Sequence, residues 1–286
     1  MVECNRLSQD RLERLDESSL IQHGPYNDRI YLMKVAVPVP ETLPAELVQK
    51  ARQLGYSKIF AKVPAAVESL FAASGYLREA VVPGLFNRQE DGVFLGRFLT
   101  EGRQMEADPV ALDGIVSWAE TQSHAAWPLS PDSRFQLREC TEPDAQALAE
   151  IYRRVFPAYP FPIQDPAYLR QTMRGNIVYF GVEVNGKLVA ASSAEYDHES
   201  SSAEMSDFAT LPEWRGNRLA SALLVRMEQS MKQHDIQTGY TIARAVSRGM
   251  NLTFARGGYR FAGRLINNTR ISEGIESMNV WYKPIR

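Results

Sequence analysis

The chain has 286 residues, of which 44% are hydrophobic and 23% charged, and its net charge is −2. That is apolar material for one large globular core or two ordinary ones, and the slightly acidic balance speaks against nucleic-acid binding, which needs a basic face. Two cysteines, Cys4 and Cys140, and four histidines, His23, His124, His198 and His234, show no metal-like spacing. The expectation is therefore no disulfide framework, no metal site and a reducing compartment.

In chain order, the opening MVECNRLSQDRLERLDESS is charged and has no apolar core, so no signal peptide is expected. No apolar run approaches the roughly 20 residues of a membrane span. A soluble, cytoplasmic protein with no membrane partner follows as the expectation. PETLPAELVQKARQLG (40–55) reads as a helix, YSKIFAKV (56–63) as a strand, and FAASGY (71–76) as the glycine-closed end of a second helix. PLSPDS (128–133), with two prolines and small polar residues, marks a boundary.

Beyond it the pattern is regular. FQLREC (135–140) predicts a strand, and EPDAQALAEIYRRVF (142–156) a helix with an apolar stripe at Ala145, Leu148, Ile151, Tyr152 and Val155. A proline-broken segment with a short helix follows. NIVYFGVEV and LVAASSAEYD flank Asn185-Gly186, a strong hairpin signal. SAEMSDFATL is a further strand, and a helix runs from just after Gly216 to about His234. TGYTIARAV is a strand, SRGMNLTFARGG a helix closed by glycine, and YRFAGRLINNT and ESMNVWYKP are two last strands. The predicted order is β-α-α-β-β-β-α-β-α-β-β.

The first half repeats part of the second. FAASGY at Phe71 matches FARGGY at Phe254, an offset of 183 residues, and the likeness extends into a flanking strand–helix–strand–strand pattern. The copy has no counterpart of WRGNRLA (214–220).

WRGNRLA joins a strand to a helix. A helix N-terminus there offers free backbone N–H groups and the positive end of the helix dipole to an anion. The competing phosphate motifs, Gly-Lys-Ser/Thr and Gly-x-Gly-x-x-Gly, are absent from the sequence. The bland alternative is an ordinary strand-to-helix turn with surface arginines.

In element order and in this motif, residues 135–286 resemble the GNAT acetyltransferase superfamily. The family's Gln/Arg-x-x-Gly-x-Gly/Ala maps to Arg215, Gly216, Asn217, Arg218, Leu219 and Ala220, with Arg218 in place of the middle glycine. VFPAYPFPIQDPAYLRQTM (155–173), LPEWRGNRLA and MNLTFARGGY further resemble the β-lysine N-acetyltransferases, a GNAT subfamily with an extra N-terminal region. The resemblance implies an α/β (α+β) GNAT fold with a mixed, centrally splayed sheet. It implies a catalytic domain at 135–286, preceded at 1–130 by a partial, degenerate GNAT copy without the cofactor loop.

It also implies acetyl-CoA as acetyl donor and the ε-amino group of β-lysine as acceptor, the product being the compatible solute Nε-acetyl-β-lysine. A pathway link to lysine 2,3-aminomutase follows, and a homodimer is left open. Cofactor contacts would come from Ala209, Thr210, Arg215, Gly216, Asn217, Arg218, Leu219, Ala220 and Ser221, with an acetyl-polarising backbone N–H near Ala209 or Thr210. Counting six residues back from Thr210 gives Glu204 as the base. Asp207, three residues on, falls on the opposite face by strand alternation and is the alternative base or a substrate contact. Tyr159, Phe161, Glu195, Tyr196 and Asp197 are candidate substrate contacts for a dicationic amino acid. The family's usual general acid is a tyrosine; the matching position here is Phe254, which cannot donate a proton. Two other readings stand beside this one: a GNAT enzyme for another small amine or a protein N-terminus, and a degenerate acyl-CoA-binding sensor.

Overall fold

A computed structural model describes residues 9–123, 132–271 and 274–285. Cys4, His124 and most of the boundary at 128–133 lie outside the described residues. In chain order the elements are β1 (Arg11–Arg14), β2 (Leu20–Gly24), β3 (Arg29–Lys34), α1 (Leu43–Gln53), β4 (Lys58–Pro64), α2 (Glu68–Ala73), β5 (Leu77–Phe86), β6 (Glu90–Phe98), α3 (Glu101–Gln104) and α4 (Pro109–Thr121). Then come β7 (Gln136–Glu139), α5 (Ala145–Val155), α6 (Pro166–Met173), β8 (Ile177–Val184), β9 (Lys187–Asp197), β10 (Ser202–Thr210), α7 (Leu219–Gln233), β11 (Thr238–Arg244), α8 (Arg248–Arg256), β12 (Arg260–Ile271) and β13 (Gly274–Pro284). From β7 onward this is the order expected from the sequence. The three N-terminal strands were not expected. Among the described residues no helix is long and apolar enough to cross a membrane, and no acidic, histidine or cysteine cluster could hold a metal ion.

All the strands form one mixed sheet in the order β1-β2-β3-β4-β6-β5-β12-β13-β11-β10-β9-β8-β7. Its parallel pairs are β3 with β4 and β10 with β11. Read outward from the β5/β12 contact, the two sides present the same sequence of neighbours. FAASGY and FARGGY close α2 and α8, the corresponding helices of the two sides. Gly75 and Gly258 take φ of 79° and 81°, a left-handed cap that glycine adopts without a Cβ penalty. The amides of Tyr76 and Tyr259 donate back to the Phe71 and Phe254 carbonyls. The rings of Phe71–Tyr76 and of Phe254–Tyr259 both meet edge-on at 5.1 Å. The copies join at a self-equivalent point: Gly263 of β12 pairs with Ala80 of β5, and these positions are 183 residues apart, the repeat offset itself. A Cβ on Gly263 would lie 2.2 Å from the Glu79 carbonyl oxygen, so only glycine permits the strands to approach here.

Helices cover both faces. One core, with Phe180, Met205, Leu223, Met227 and Phe254, lies under α7 and α8; α4 joins it through Val116 and Ala119. A second, with Leu148, Tyr152, Leu169 and Ala209, lies under α5 and α6 on the other face. The N-terminal side has its own core under α1 and α2, around Leu47, Ile59 and Phe71. A fourth cluster is shared by both sides, with Tyr31, Phe60 and Phe94 from one and Tyr240, Leu265 and Val280 from the other. The candidate site opens at the edge of this shared cluster.

Candidate active site

The pairing of β10 and β11 is short. It holds from Ser202–Thr238 to Glu204–Tyr240 and then stops, although both strands continue to Thr210 and Arg244. From Met205 onward the β11-facing edge of β10 has no ladder partner, so the sheet opens as a V. On the other edge, β10 pairs with β9 through Ser206–Ser193 and resumes at Ala209–Ala191, so Asp207 and Phe208 together face the single residue Ser192. This is a β-bulge, and Asp207 carries it with φ of 55°, a conformation that aspartate tolerates better than most side chains.

The bulge overturns one expectation. Strand alternation puts Glu204 and Asp207 on opposite faces, but the extra residue shifts the period by one. Ala203 and Met205 pack under α7, whereas beyond the bulge Ala209 and Leu211 pack under α5. Glu204, Ser206 and Asp207 therefore all line the same cavity.

That cavity, of about 170 Å³, lies between the two halves of the sheet. Tyr159, Phe161, Glu195, Tyr196 and Asp197 all line it. Asp207 accepts hydrogen bonds from Tyr159 Oη at 2.5 Å and Ser193 Oγ at 2.6 Å. Burial raises its pKa, while the bonds from Ser193 and Tyr159 pull it back. Glu204 is pushed up to about 7, first by burial and then by the neighbouring Glu195, with Lys62 opposing. Solvent reaches Glu195 at the mouth. Asp197 meets Lys34 at 3.4 Å.

Sequence reasoning missed the wall facing these carboxylates, which comes from the N-terminal side: Arg29, Tyr31, Phe60 and Lys62. Lys62 Nζ donates to Tyr240 Oη at 2.9 Å. No local motif marks these residues; only the junction of the two copies places them opposite β10.

The residues of the anion-binding turn lie elsewhere. None of those at 209–221 lines the cavity; they follow β10 past the bulge. Arg215, Gly216 and Arg218 are exposed, while Ala209, Leu219 and Ser221 are buried, so the buried ones can offer a ligand their backbone but not their side chains. Gly216 has φ of 81°, and Arg218 is itself left-handed at φ 60° as the residue preceding α7. Among the described residues the amides of Asn217, Arg218, Leu219 and Ala220 donate no hydrogen bond, which leaves a row of free donors where α7 begins. Phe254 is fully buried against Phe208 and Tyr259, so it lies in the core and not at the site.

Comparison with known proteins agrees with this geometry. The family model for the acetyltransferase (GNAT) family matches residues 145–250. A β-lysine N(6)-acetyltransferase of Methanococcus maripaludis is 38% identical over 270 residues, which is 93% of this chain and 96% of that protein. The N-acetyltransferase YodP of Bacillus subtilis is 34% identical over 94% of this chain and 96% of its own length. A β-lysine N(6)-acetyltransferase of Methanosarcina mazei is 39% identical over 51% of this chain and 54% of that protein. With a splayed parallel strand pair, a bulge beside it and free amides at the following helix, this chain belongs to the GNAT family and is an N-acetyltransferase.

Proposed function

We propose that the protein transfers the acetyl group of acetyl-CoA to the ε-amino group of β-lysine, giving Nε-acetyl-β-lysine. The observation that carries this reading is the cavity itself: four carboxylates, Glu195, Asp197, Glu204 and Asp207, and several aromatic rings gathered in one chamber beside the bulge. A diamino acid brings two ammonium groups, and carboxylates with aromatic faces are the groups that hold them. The Methanococcus maripaludis relative named for β-lysine acetylation, similar over 93% of this chain, supports the same substrate.

The donor's residues follow from the turn. The free amides from Asn217 to Ala220, with Arg215 and Arg218 exposed beside them, suit a pyrophosphate, and acetyl-CoA supplies the electrophilic thioester carbonyl. A backbone N–H of Ala209 or Thr210, near the open edge of β10, would polarise that carbonyl. The ε-ammonium has an ordinary pKa of about 10.4 and must lose a proton before it can attack. Glu204, with a pKa near 7, accepts it and releases it to solvent. The C–N bond forms as the C–S bond breaks, and the second amine proton ends on the departing CoA thiolate. Phe254 takes no part. Asp207, already held by Tyr159 and Ser193, binds and orients the ammonium. Residues 135–286 then form the catalytic unit and residues 1–130 a partial copy without a donor loop.

Thiol release from acetyl-CoA with β-lysine, α-lysine, 1,4-diaminobutane and an alanine-initiated peptide tests the reading. Preferential turnover of β-lysine is the expected result. Preference for the diamine or the peptide would overturn the substrate, and silence with every amine would overturn enzymatic transfer in favour of a sensor.

A further inference from the structure

Arg29 begins β3 and is 4% exposed. It lies in the cavity wall with its guanidinium 5.5 Å from the Tyr31 ring and 5.6 Å from the Phe60 ring. Its Nη1 donates across the junction of the two halves, to the Asn268 carbonyl at 2.5 Å and to Thr269 Oγ1 at 3.1 Å. Its Nε is buried and has no hydrogen-bond partner.

An arginine is almost never fully buried unless paired with an acid, yet among the described residues Arg29 has no ion-pair partner. The acids whose fields reach it are Asp10, Glu79 and Glu204, and the first two are engaged elsewhere. Asp10 accepts from Asn27 at 2.6 Å, and Glu79 is paired with Lys58 at 2.8 Å. Glu204 stands across the cavity with Lys62 as its countercharge. Burial draws the Arg29 pKa down to about 10, which still leaves it charged at neutral pH. Beside it, Asn268 is also buried and lines the cavity, and its Oδ1 is without a partner. An orphaned cationic donor and an orphaned neutral acceptor thus share one wall, opposite the carboxylates.

We infer that Arg29 binds the carboxylate of the amino-acid substrate, so that the N-terminal copy supplies part of the active site and selects amino acids over simple diamines. This rests on the β-lysine reading of the cavity given above. β-Lysine carries its carboxylate and β-ammonium at one end and its ε-ammonium at the other. With the carboxylate on the Arg29 guanidinium and the β-ammonium beside Asn268, the ε-nitrogen is directed to the opposite wall, where Glu204 and Asp207 lie. A bound carboxylate also supplies the anion that this buried guanidinium lacks. Lys62 is the weaker candidate for the same task, since its Nζ is held by Tyr240 Oη.

The test compares β-lysine with its carboxamide, 3,6-diaminohexanamide, which keeps the size and both amines but loses the negative charge. The unmodified protein is expected to show a KM for the carboxamide about 100-fold higher, with kcat little changed, as for loss of one partner of a buried charge pair. Arg29→Gln should raise the KM for β-lysine by a similar factor and leave the carboxamide within about threefold, so that discrimination collapses. Arg29→Lys should recover part of it. Equal KM values for the two substrates in the unmodified protein would overturn the inference without any variant, while the acetyltransferase reading would stand. Equal loss on both substrates in Arg29→Gln would assign Arg29 to holding the two halves together. Turnover of neither compound would remove the proposed function instead.

Discussion

Replacing Glu204 by Gln isolates one carboxyl group in two measurements that must agree. Its pKa stands near 7 against an ordinary 4.5, raised first by burial and then by Glu195. Because the folded value is the higher one, the native state holds a proton that the unfolded chain has already released between pH 4.5 and 7. Stability therefore falls as pH rises through that window and levels off above it. A gap of two to three pKa units sets a ceiling of about 3 kcal/mol. Between pH 5 and 8 the loss should be about 2 kcal/mol, since solvent still reaches a half-buried group. Glu204→Gln keeps the shape and removes the titration, so its stability relative to the unmodified protein should rise by that amount over the same range. Urea denaturation at pH 5, 6, 7 and 8 measures it. The same group should govern rate: kcat/KM for the amine should climb with a midpoint near pH 7. The variant should lose that limb and fall about 10²–10⁴-fold at neutral pH. Its activity should recover in part toward pH 10, where the amine deprotonates unaided. A limb near pH 7 that survives in the variant, or normal turnover at pH 7, would refute the assignment and pass the role to Asp207.

Four further outcomes are expected. Asp207→Asn should raise the KM for the amine before it lowers kcat, because Asp207 is held by Tyr159 and Ser193; steady-state kinetics decide, and a fall in kcat alone would count against a binding role. Arg218→Gly should stabilise the protein by about 1 kcal/mol by relieving a left-handed residue at φ 60°, and should leave acetyl-CoA affinity within about tenfold. Ala220→Glu should abolish that affinity, and calorimetric titration showing equal damage from both changes would make the Arg218 side chain itself the phosphate ligand. Gly263→Ala should destabilise by about 3 kcal/mol or more, since its Cβ would meet the Glu79 carbonyl oxygen at 2.2 Å; a variant with unchanged urea midpoint would mean that the β5/β12 contact yields easily.

Local chemistry made much of the fold readable. Asn185-Gly186 marks the β8/β9 turn because both residues accept positive φ, here 50° and 78°. The helix of WRGNRLA starts where the loop places its free amides, and the FAASGY/FARGGY match finds equivalent helix ends. What escaped is what depends on register and on distance along the chain. SAEMSDFAT reads as unbroken alternation, and only the tolerance of aspartate for positive φ hints that the period slips at Asp207. Arg29 and Lys62 carry no motif. They reach the site because two copies meet edge to edge, a contact that pairs Ala80 with Gly263.

Both departures bear on the same chemistry. A straight β10 would direct Glu204 and Asp207 to opposite faces and leave that strand with one carboxylate toward the chamber. The bulge brings them to one side, and the unpaired edge past Glu204 opens a way for the acetyl donor to reach that side. The catalytic half alone would leave this chamber open along β12, whose backbone at Ile266 is bonded to Lys58 and Glu79 of the copy. An open strand edge is a template for unwanted pairing, and an open chamber keeps its charges in water, where they discriminate weakly. The copy answers both problems with the same strands. β5 covers the edge of β12, while β3 and β4 supply the aromatic wall and an arginine without a carboxylate partner. If Arg29 holds the substrate carboxylate as proposed above, a half that has no donor loop keeps a physical reason to remain: the carboxylates across the cavity would attract any amine, and the cation in the facing wall would tell an amino acid from a simple diamine.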